Sequence, residues 1–584
     1  MKRYFTLFVM VIAMLCSCSD DPQDVIDGTG ESYTVMVYSY TGSGMDVFTA
    51  LYAMQSMYEG TSDKVKMTFQ HKSSSDIRND GRCPELEGTF RLDMDDFASL
   101  KGNEALPHGL NYQNASFEQF YDIVKDKAVA VGDSTYRVSA AEPLADFIEW
   151  SKEKHPADNY ILLFVGHGDG WSPENDGVYD SRALLMDAER QPTMNLSLGQ
   201  LVSGVKKGLG GKKLKTLYLN NCLMATLENY TGYMEIADYV FGAVETTTGI
   251  GLDFGQYLKS LKKVSAGADF ETEMHGLVNY LVSDKWWTSP QYEGDDKVWG
   301  DIGFTNMSLF PAVLNAAKEW ADLVVDESFE KYDDLLSLAT MMTMVSQAYG
   351  GMYVQCSESL VPLATKVLGS IPEDGRLNGY QLKTIMKYIE NTDDPEVTDE
   401  IVMDFLSTCV SLGAFSQASS NYILADMMNE TADLLEAAQS DPEIGGADAV
   451  RLLEKVKNVR ERYHAAMRSA AYIACTHPSG PDDAYNYTSY SVLLQSLNAD
   501  YVNKMLKTVS DEQTASQEER LAALLNIPTY CLASCLLFEK PYDDSYANAY
   551  KKTAFDQWTG WSRFLTKLTV NPNILLSDSR DTMN

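Results

Sequence analysis

Apolar positions along the chain fall into two textures. In the first part, short apolar or alternating runs recur between Gly, Asn, Asp and Pro breaks: YTVMVY at 33–38, Val65, Met67 and Phe69 in alternation, YILLFV at 160–165, TLYL at 216–219 and YVFGAV at 239–244. Their length and their β-branched and aromatic make-up predict strands. Helical spacing lies between them, over 48–58, over 198–206, and behind a capping box at 139–142 with Leu144, Phe147 and Ile148 as the apolar face. Residues 102–113 hold Gly, Asn and Pro without periodicity and read as a surface excursion. Strand and helix alternate, and runs such as ILLFV are apolar on both faces. The pattern predicts an α/β domain with a mostly parallel sheet and helices on both faces.

From about residue 309 the texture changes. Residues 311–325, 333–348, 378–390, 418–440 and 447–474 carry helical apolar spacing, and strand signals almost vanish. The run at 489–494 is the exception, a strand that could return to the first sheet. The expected organisation is therefore 1–17 as a signal segment, 18–31 as a polar tether, 32–308 as the α/β domain and 309–584 as a mainly helical region. No internal repeat stands out.

The N-terminus reads as an address. Lys2 and Arg3 precede an apolar run at 5–15 that is too short to span a bilayer. Leu15-Cys16-Ser17-Cys18 resembles a lipoprotein cleavage box, which implies cutting before Cys18 and a lipid anchor on its sulfur. Cys16 is the rival anchor; Ser17, small and directly before Cys18, favours the latter. The following Ser19-Asp20-Asp21 resembles the acidic export tag of Bacteroidetes surface lipoproteins, which implies an outer-membrane location on the cell surface. No other stretch approaches the ~18 apolar residues of a membrane span.

Composition narrows the classes further. The 584 residues are 45% hydrophobic and 11% aromatic, enough to fill real cores, and carry a net charge of −36. That charge is spread along the chain and argues against nucleic acid as a partner. Past the signal stand Cys83, Cys222, Cys356, Cys409, Cys475, Cys531 and Cys535, sparse and without Cys/His metal spacing. No disulfide framework is expected. Cys531 and Cys535 read as buried neighbours on one helix face.

Two side chains concentrate the chemistry. His167 ends the apolar run at 160–165 between Gly166 and Gly168, and Cys222 ends the run at 216–219 behind Asn220 and Asn221. Functional groups of open α/β sheets gather just beyond the carboxyl ends of strands. A lone loop histidine or a lone apolar cysteine would ordinarily be structural; two of them at one sheet edge suit nucleophilic catalysis. The thiol needs an imidazole to take its proton, and His167 is placed for that. The amides of Gly168 and Cys222 could bind a developing oxyanion. A helix beginning at about Leu223 would help lower the thiol pKa.

The segments GHGDGW (166–171), RALLMD (182–187) and LYLNNCLMATLE (217–228) resemble the clostripain family of cysteine peptidases, relatives of caspases in the caspase-haemoglobinase fold. YTVMVYS, ADFIEW and the late FDQWTGWSRFL are similar to that family as well. In caspases too the histidine precedes the cysteine by about 50 residues. The resemblance implies a caspase-like peptidase domain over 32–308 and a Cys/His dyad acting on peptide or protein substrates, with His167 as base and Cys222 as nucleophile. It implies no required cofactor and no fixed metal, and it admits calcium. Asp169, Glu174, Asp176 and Asp180 could offer oxygens, yet they fit no calcium-loop spacing and read as a solvated loop. Family members are often activated by cleavage between the two catalytic residues, where Arg182, Arg190 and Lys206 are candidates.

One departure matters. The family usually carries an acid two positions before the cysteine, lining a pocket for a basic P1 side chain, and this chain has Asn220. Glu245 and Asp253, near the next strand, are candidates for the missing charge. A weakened basic P1 preference is expected. The alternatives are an inactive relative that binds peptides or glycans at the surface, and an adhesive or structural lipoprotein using the helical half.

Overall fold

The computed structural model of the chain describes residues 30–40, 60–72, 88–96, 126–132, 138–168, 170–171, 184–187, 194–244, 254–282, 301–332, 353–372, 374–390, 421–440, 445–475, 491–493 and 550–564, with Tyr136, Leu336 and scattered positions from 392 to 408. Nine strands form one sheet. They are β1 (Tyr33–Tyr40), β2 (Val65–Lys72), β3 (Thr89–Asp93), β4 (Val129–Gly132), β5 (Asn159–Gly166), β6 (Leu214–Asn220), β7 (Ala237–Gly242), β8 (Asp301–Asn306) and β9 (Ala471–Cys475). Their order across the sheet is β9-β8-β7-β6-β5-β1-β2-β3-β4. The central strands β2, β1, β5, β6 and β7 run parallel, and antiparallel pairs extend both flanks.

Period-two alternation sorts the side chains into two cores. On one face Met36, Tyr38, Leu162, Phe164, Leu217 and Leu219 pack against α1 (Ala141–Lys154), α2 (Leu198–Leu209) and α3 (Leu227–Tyr233). On the other, Val35, Val37, Ile161, Leu163, Tyr218 and Phe241 meet α4 (Phe254–Ser265) and α5 (Phe270–Leu281). Burial on both faces is why these strands are continuously apolar.

The helical half does not stand apart. Beyond residue 309 come α6 (Phe310–Val325), α7 (Val361–Leu368), α8 (Gly379–Glu390), α9 (Leu424–Ala438), α10 (Ala447–Ala470) and α11 (Ala554–Thr559). Trp320 of α6, Met428 of α9, Tyr463 of α10 and Phe555 of α11 all enter the first core. Leu363 of α7 and Leu382 of α8 build a smaller third cluster with Val354 and Leu377.

Three local expectations are corrected. The run at 447–474 is not helical throughout: α10 ends at Ala470 and the chain continues as β9, an antiparallel partner of β8 at the sheet edge. The strand near 489–494 is Ser491–Leu493, and it pairs with Asn421–Ile423 in a separate ribbon instead of the main sheet. The start of α1 is capped by neither Ser139 nor Glu142. Ala140 occupies the N-cap in an extended conformation without a side-chain bond, while Ser139 is buried one residue too early. A true capping box opens α2, where Ser197 and Gln200 bond each other's backbone amides. Expectations for 48–58, 102–113 and most of 333–348 fall outside the described residues. Among the described residues, no helix is long and apolar enough to cross a membrane.

Candidate active site

Strands β5 and β6 are parallel neighbours, with Val165 opposite Asn220 as their last matched pair. His167 lies two residues beyond Val165, and Cys222 two beyond Asn220. Paired strands run about 4.8 Å apart, so register puts the two residues at neighbouring positions on the carboxyl edge. His167 is exposed; Cys222 is half-buried and forms no disulfide.

The two segments are tied together by backbone contacts. Asn221, fully buried, donates through Nδ2 to the carbonyl oxygens of Gly166 at 2.8 Å and His167 at 3.1 Å. Gly168 is buried flat against the cysteine turn. A Cβ there would sit 2.5 Å from the Cys222 carbonyl oxygen, 2.7 Å from Asn221 Cβ and 2.9 Å from Met224 Cγ. Only glycine permits that approach.

The turn itself is strained. Leu223 adopts φ +60°, the only non-glycine residue at positive φ among those described, at a cost of about 1–2 kcal/mol. The strain is held by the Ala225 amide donating to the Ala243 carbonyl at 2.9 Å and by Asn229 Nδ2 reaching the Met224 carbonyl at 3.5 Å. Such outliers persist where surrounding structure over-determines them, often at functional sites. The turn also displaces the helix. α3 starts at Leu227, not near Leu223, because Thr226 is the N-cap, accepting from the Asn229 amide. α3 has seven residues and begins five residues beyond Cys222, further from it than the helix expected from the sequence.

Asn220 is 5% exposed, and its Oδ1 is buried without a hydrogen-bond partner. Asn221 Oδ1 is in the same condition. Unmet buried acceptors cost about 1–3 kcal/mol each, and both of these stand on the segment that leads into Cys222. Sequence reasoning gave Asn221 no role. The available signal was a second asparagine wedged between a strand end and a cysteine.

The remaining candidates divide. Glu245, Asp253, Cys18, Asp169, Glu174, Asp176, Asp180, Arg182 and Arg190 lie outside the described residues. Lys206 belongs to the last turn of α2, ion-paired with Glu235, and is not in a loop. A second histidine stands at the same edge: His71 lies opposite Ser39 and its Nδ1 is 3.0 Å from the hydroxyl. Burial pushes its pKa down to about 3, and its ring stacks on Phe69 and lies tilted against Phe90. It stays neutral and structural. Among the described residues, Asp93, Asp95 and His155 bring possible metal-ligating atoms within 4.8 Å of one another. They lie at the opposite end of the sheet and are already engaged, His155 with Asp93 and Asp95 with Lys66.

Residues 117–344 match the model of the Clostripain family, a span holding both His167 and Cys222. No curated protein matches the chain. Among solved structures, a secreted cysteine protease from Bacteroides thetaiotaomicron in complex with an irreversible peptide inhibitor is 16% identical, with a TM-score of 0.34 over 49% of this chain and 70% of that one. An inactive zymogen protease from Parabacteroides distasonis is 13% identical, with a TM-score of 0.41 over 82% of this chain and 96% of that one. A cysteine protease from B. fragilis is 10% identical, with a TM-score of 0.25 over 63% and 95%.

Proposed function

We propose that the chain, with its clostripain-family match over 117–344, is a cysteine endopeptidase whose dyad is His167 and Cys222. The observation that carries this reading is the register of β5 and β6, whose last matched pair, Val165 and Asn220, stands two residues before His167 and Cys222, together with the Asn221 amide that ties the cysteine turn to the His167 carbonyl. In the reaction His167 takes the Cys222 proton and the thiolate attacks the scissile carbonyl. The amides of Gly168 and Cys222 receive the oxyanion, a contribution of about 2.7–4 kcal/mol per donor. The imidazolium then protonates the leaving amine, and water, deprotonated by His167, releases the acyl group from sulfur.

The P1 preference follows from Asn220. Its unpartnered Oδ1 accepts a hydrogen bond but carries no charge, so P1 side chains that donate are favoured and the advantage of Lys or Arg is reduced. No cofactor enters this chemistry. The peptidase is held at the outer face of the outer membrane by lipid on Cys18, which incorporation of labelled fatty acid into the unaltered chain, and not into Cys18→Ala, would test.

The deciding experiment assays the chain without its first 17 residues on a fluorogenic library scanning P1, beside Cys222→Ala, with and without calcium. Turnover confined to the unaltered protein supports the peptidase, and its P1 profile reads the Asn220 pocket. Absence of turnover after limited proteolysis as well would sink it in favour of a surface peptide- or glycan-binding protein.

A further inference from the structure

The C-terminal segment reaches back to the catalytic edge. Phe555 of α11, with Trp561 and Phe564 just beyond it, is buried in the core that also holds α3 and α6. That docking brings in Tyr550, 1% exposed. Its hydroxyl donates to Glu228 Oε1 at 2.9 Å. Its ring meets Trp171 edge-on, with centroids 5.3 Å apart and planes at 89°.

The two partners belong to the two halves of the dyad. Trp171 is buried four residues beyond His167, on the segment leaving the histidine. Glu228 is buried in the first turn of α3, the helix into which the Cys222 turn leads. One side chain, more than 300 residues away in sequence, thus touches both catalytic segments. Asn221 joins those segments at their near ends, beside the reacting groups. Tyr550 joins them at their far ends.

We propose that Tyr550 is a positioning residue, a latch from the C-terminal segment that fixes the His167 segment relative to the Cys222 turn and thereby sets how readily the thiol gives up its proton. The latch rests on reading His167 and Cys222 as a dyad. An imidazole draws a thiol proton only within hydrogen-bond reach, so a small change in the angle between the two segments changes the thiolate population. Edge-to-face aromatic contact fixes direction as well as distance, and the phenol hydrogen bond adds a second, independent restraint.

The test reads the thiol directly. The rate at which iodoacetamide alkylates Cys222 is followed against pH in the full chain by mass spectrometry of the Cys222 peptide, for the unaltered protein, His167→Ala, Tyr550→Phe, Tyr550→Ala and Glu228→Gln. Tyr550→Phe keeps the ring on Trp171 and loses only the hydroxyl, so it folds even where Tyr550→Ala does not. The latch predicts that Tyr550→Phe slows alkylation at pH 7 by about three- to tenfold and moves its profile toward that of His167→Ala. On peptides kcat falls by a similar factor while KM holds. Glu228→Gln, which keeps an acceptor for the phenol, moves the profile less than Tyr550→Phe does. Should Tyr550→Phe and any folded Tyr550→Ala keep that profile and lose only thermal stability, Tyr550 is merely structural and the latch is wrong. Coincidence of the unaltered and His167→Ala profiles would mean there is no dyad, which removes the peptidase reading and the latch together and is read without any Tyr550 variant.

Discussion

The two ends of the central sheet are built from the same strands and treat their polar groups in opposite ways. At the amino end of β1 and β5, Ser32 donates from its amide and hydroxyl to Asp158 at 2.9 and 2.8 Å, and the Asp158 amide returns a bond to the Ser32 hydroxyl at 3.0 Å. Thr34 donates to the His155 carbonyl at 2.7 Å, His155 Nε2 meets Asp93 at 2.8 Å, and Lys66 pairs with Asp95 at 2.8 Å. At the carboxyl end, Asn220 Oδ1, Asn221 Oδ1 and His71 Nε2 are buried without partners and Leu223 is held left-handed. The groups named at the first end close their hydrogen bonds on one another. Those named at the second leave buried polar atoms without partners and a turn strained, and surrounding structure has to hold both in place. Register along shared strands makes the second arrangement affordable, since the satisfied end fixes where the unsatisfied one stands.

Disturbing the carboxyl end should therefore destroy turnover before it destroys the fold. Gly168→Ala is the severest case, because its Cβ would fall 2.5 Å from a backbone oxygen that cannot swing aside. We expect peptide turnover to fall by more than about 100-fold and unfolding free energy by about 1–3 kcal/mol, measured by progress curves and urea titration. Turnover within threefold of the unaltered chain would mean that the His167 loop does not need its close seat on the cysteine turn. Asn221→Ala comes next. It removes both bonds to the Gly166 and His167 carbonyls and also the orphaned Oδ1, so the two stability effects partly offset. About 10- to 100-fold in kcat with about 1 kcal/mol or less in stability is expected; equal losses of both would make Asn221 an ordinary core residue.

Much of this contrast was legible in the sequence, and the unread part has identifiable causes. The parallel strands announced themselves because burial on both faces leaves uninterrupted apolar runs such as ILLFV. His167 and Cys222 drew attention because each stands just beyond such a run. β3, β4 and β8 were not anticipated: they pair antiparallel on the flanks, β3 and β4 are short, β4 carries the exposed Val129 and Ala130, and β8 interrupts its apolar residues with Asp301, Gly303 and Thr305. β9 was hidden because it continues without a break from the apolar spacing of α10. The Asn221 tie and the Tyr550 contact were invisible for another reason. Each depends on which backbone or ring lies opposite, and no spacing rule encodes a partner hundreds of residues away.

The amino end should respond in the reverse sense, with stability moving and turnover standing still, and acidity is the sharpest probe of it. Burial alone would raise the Asp93 carboxyl. The hydrogen bond from His155, the Asp95 amide, and the charges of His155 and Lys154 outweigh that and hold it below its ordinary value. A carboxyl depressed in the folded state contributes stability that is fully present above the unfolded value, near 4, and is lost as the pH falls through the folded value beneath it. Asp93→Asn removes that contribution at every pH. The unaltered chain should thus exceed the variant by about 1–2 kcal/mol at pH 7, and the gap should close progressively below about pH 4, as read by urea titrations across the acid range. Peptide turnover at pH 7 should agree within about twofold, because Asp93 ends a flanking strand at the edge away from His167 and Cys222. A gap that stayed constant in acid would assign the loss to packing instead of charge, and a fall in kcat matching that of Asn221→Ala would mean that the two ends of the sheet are not separable.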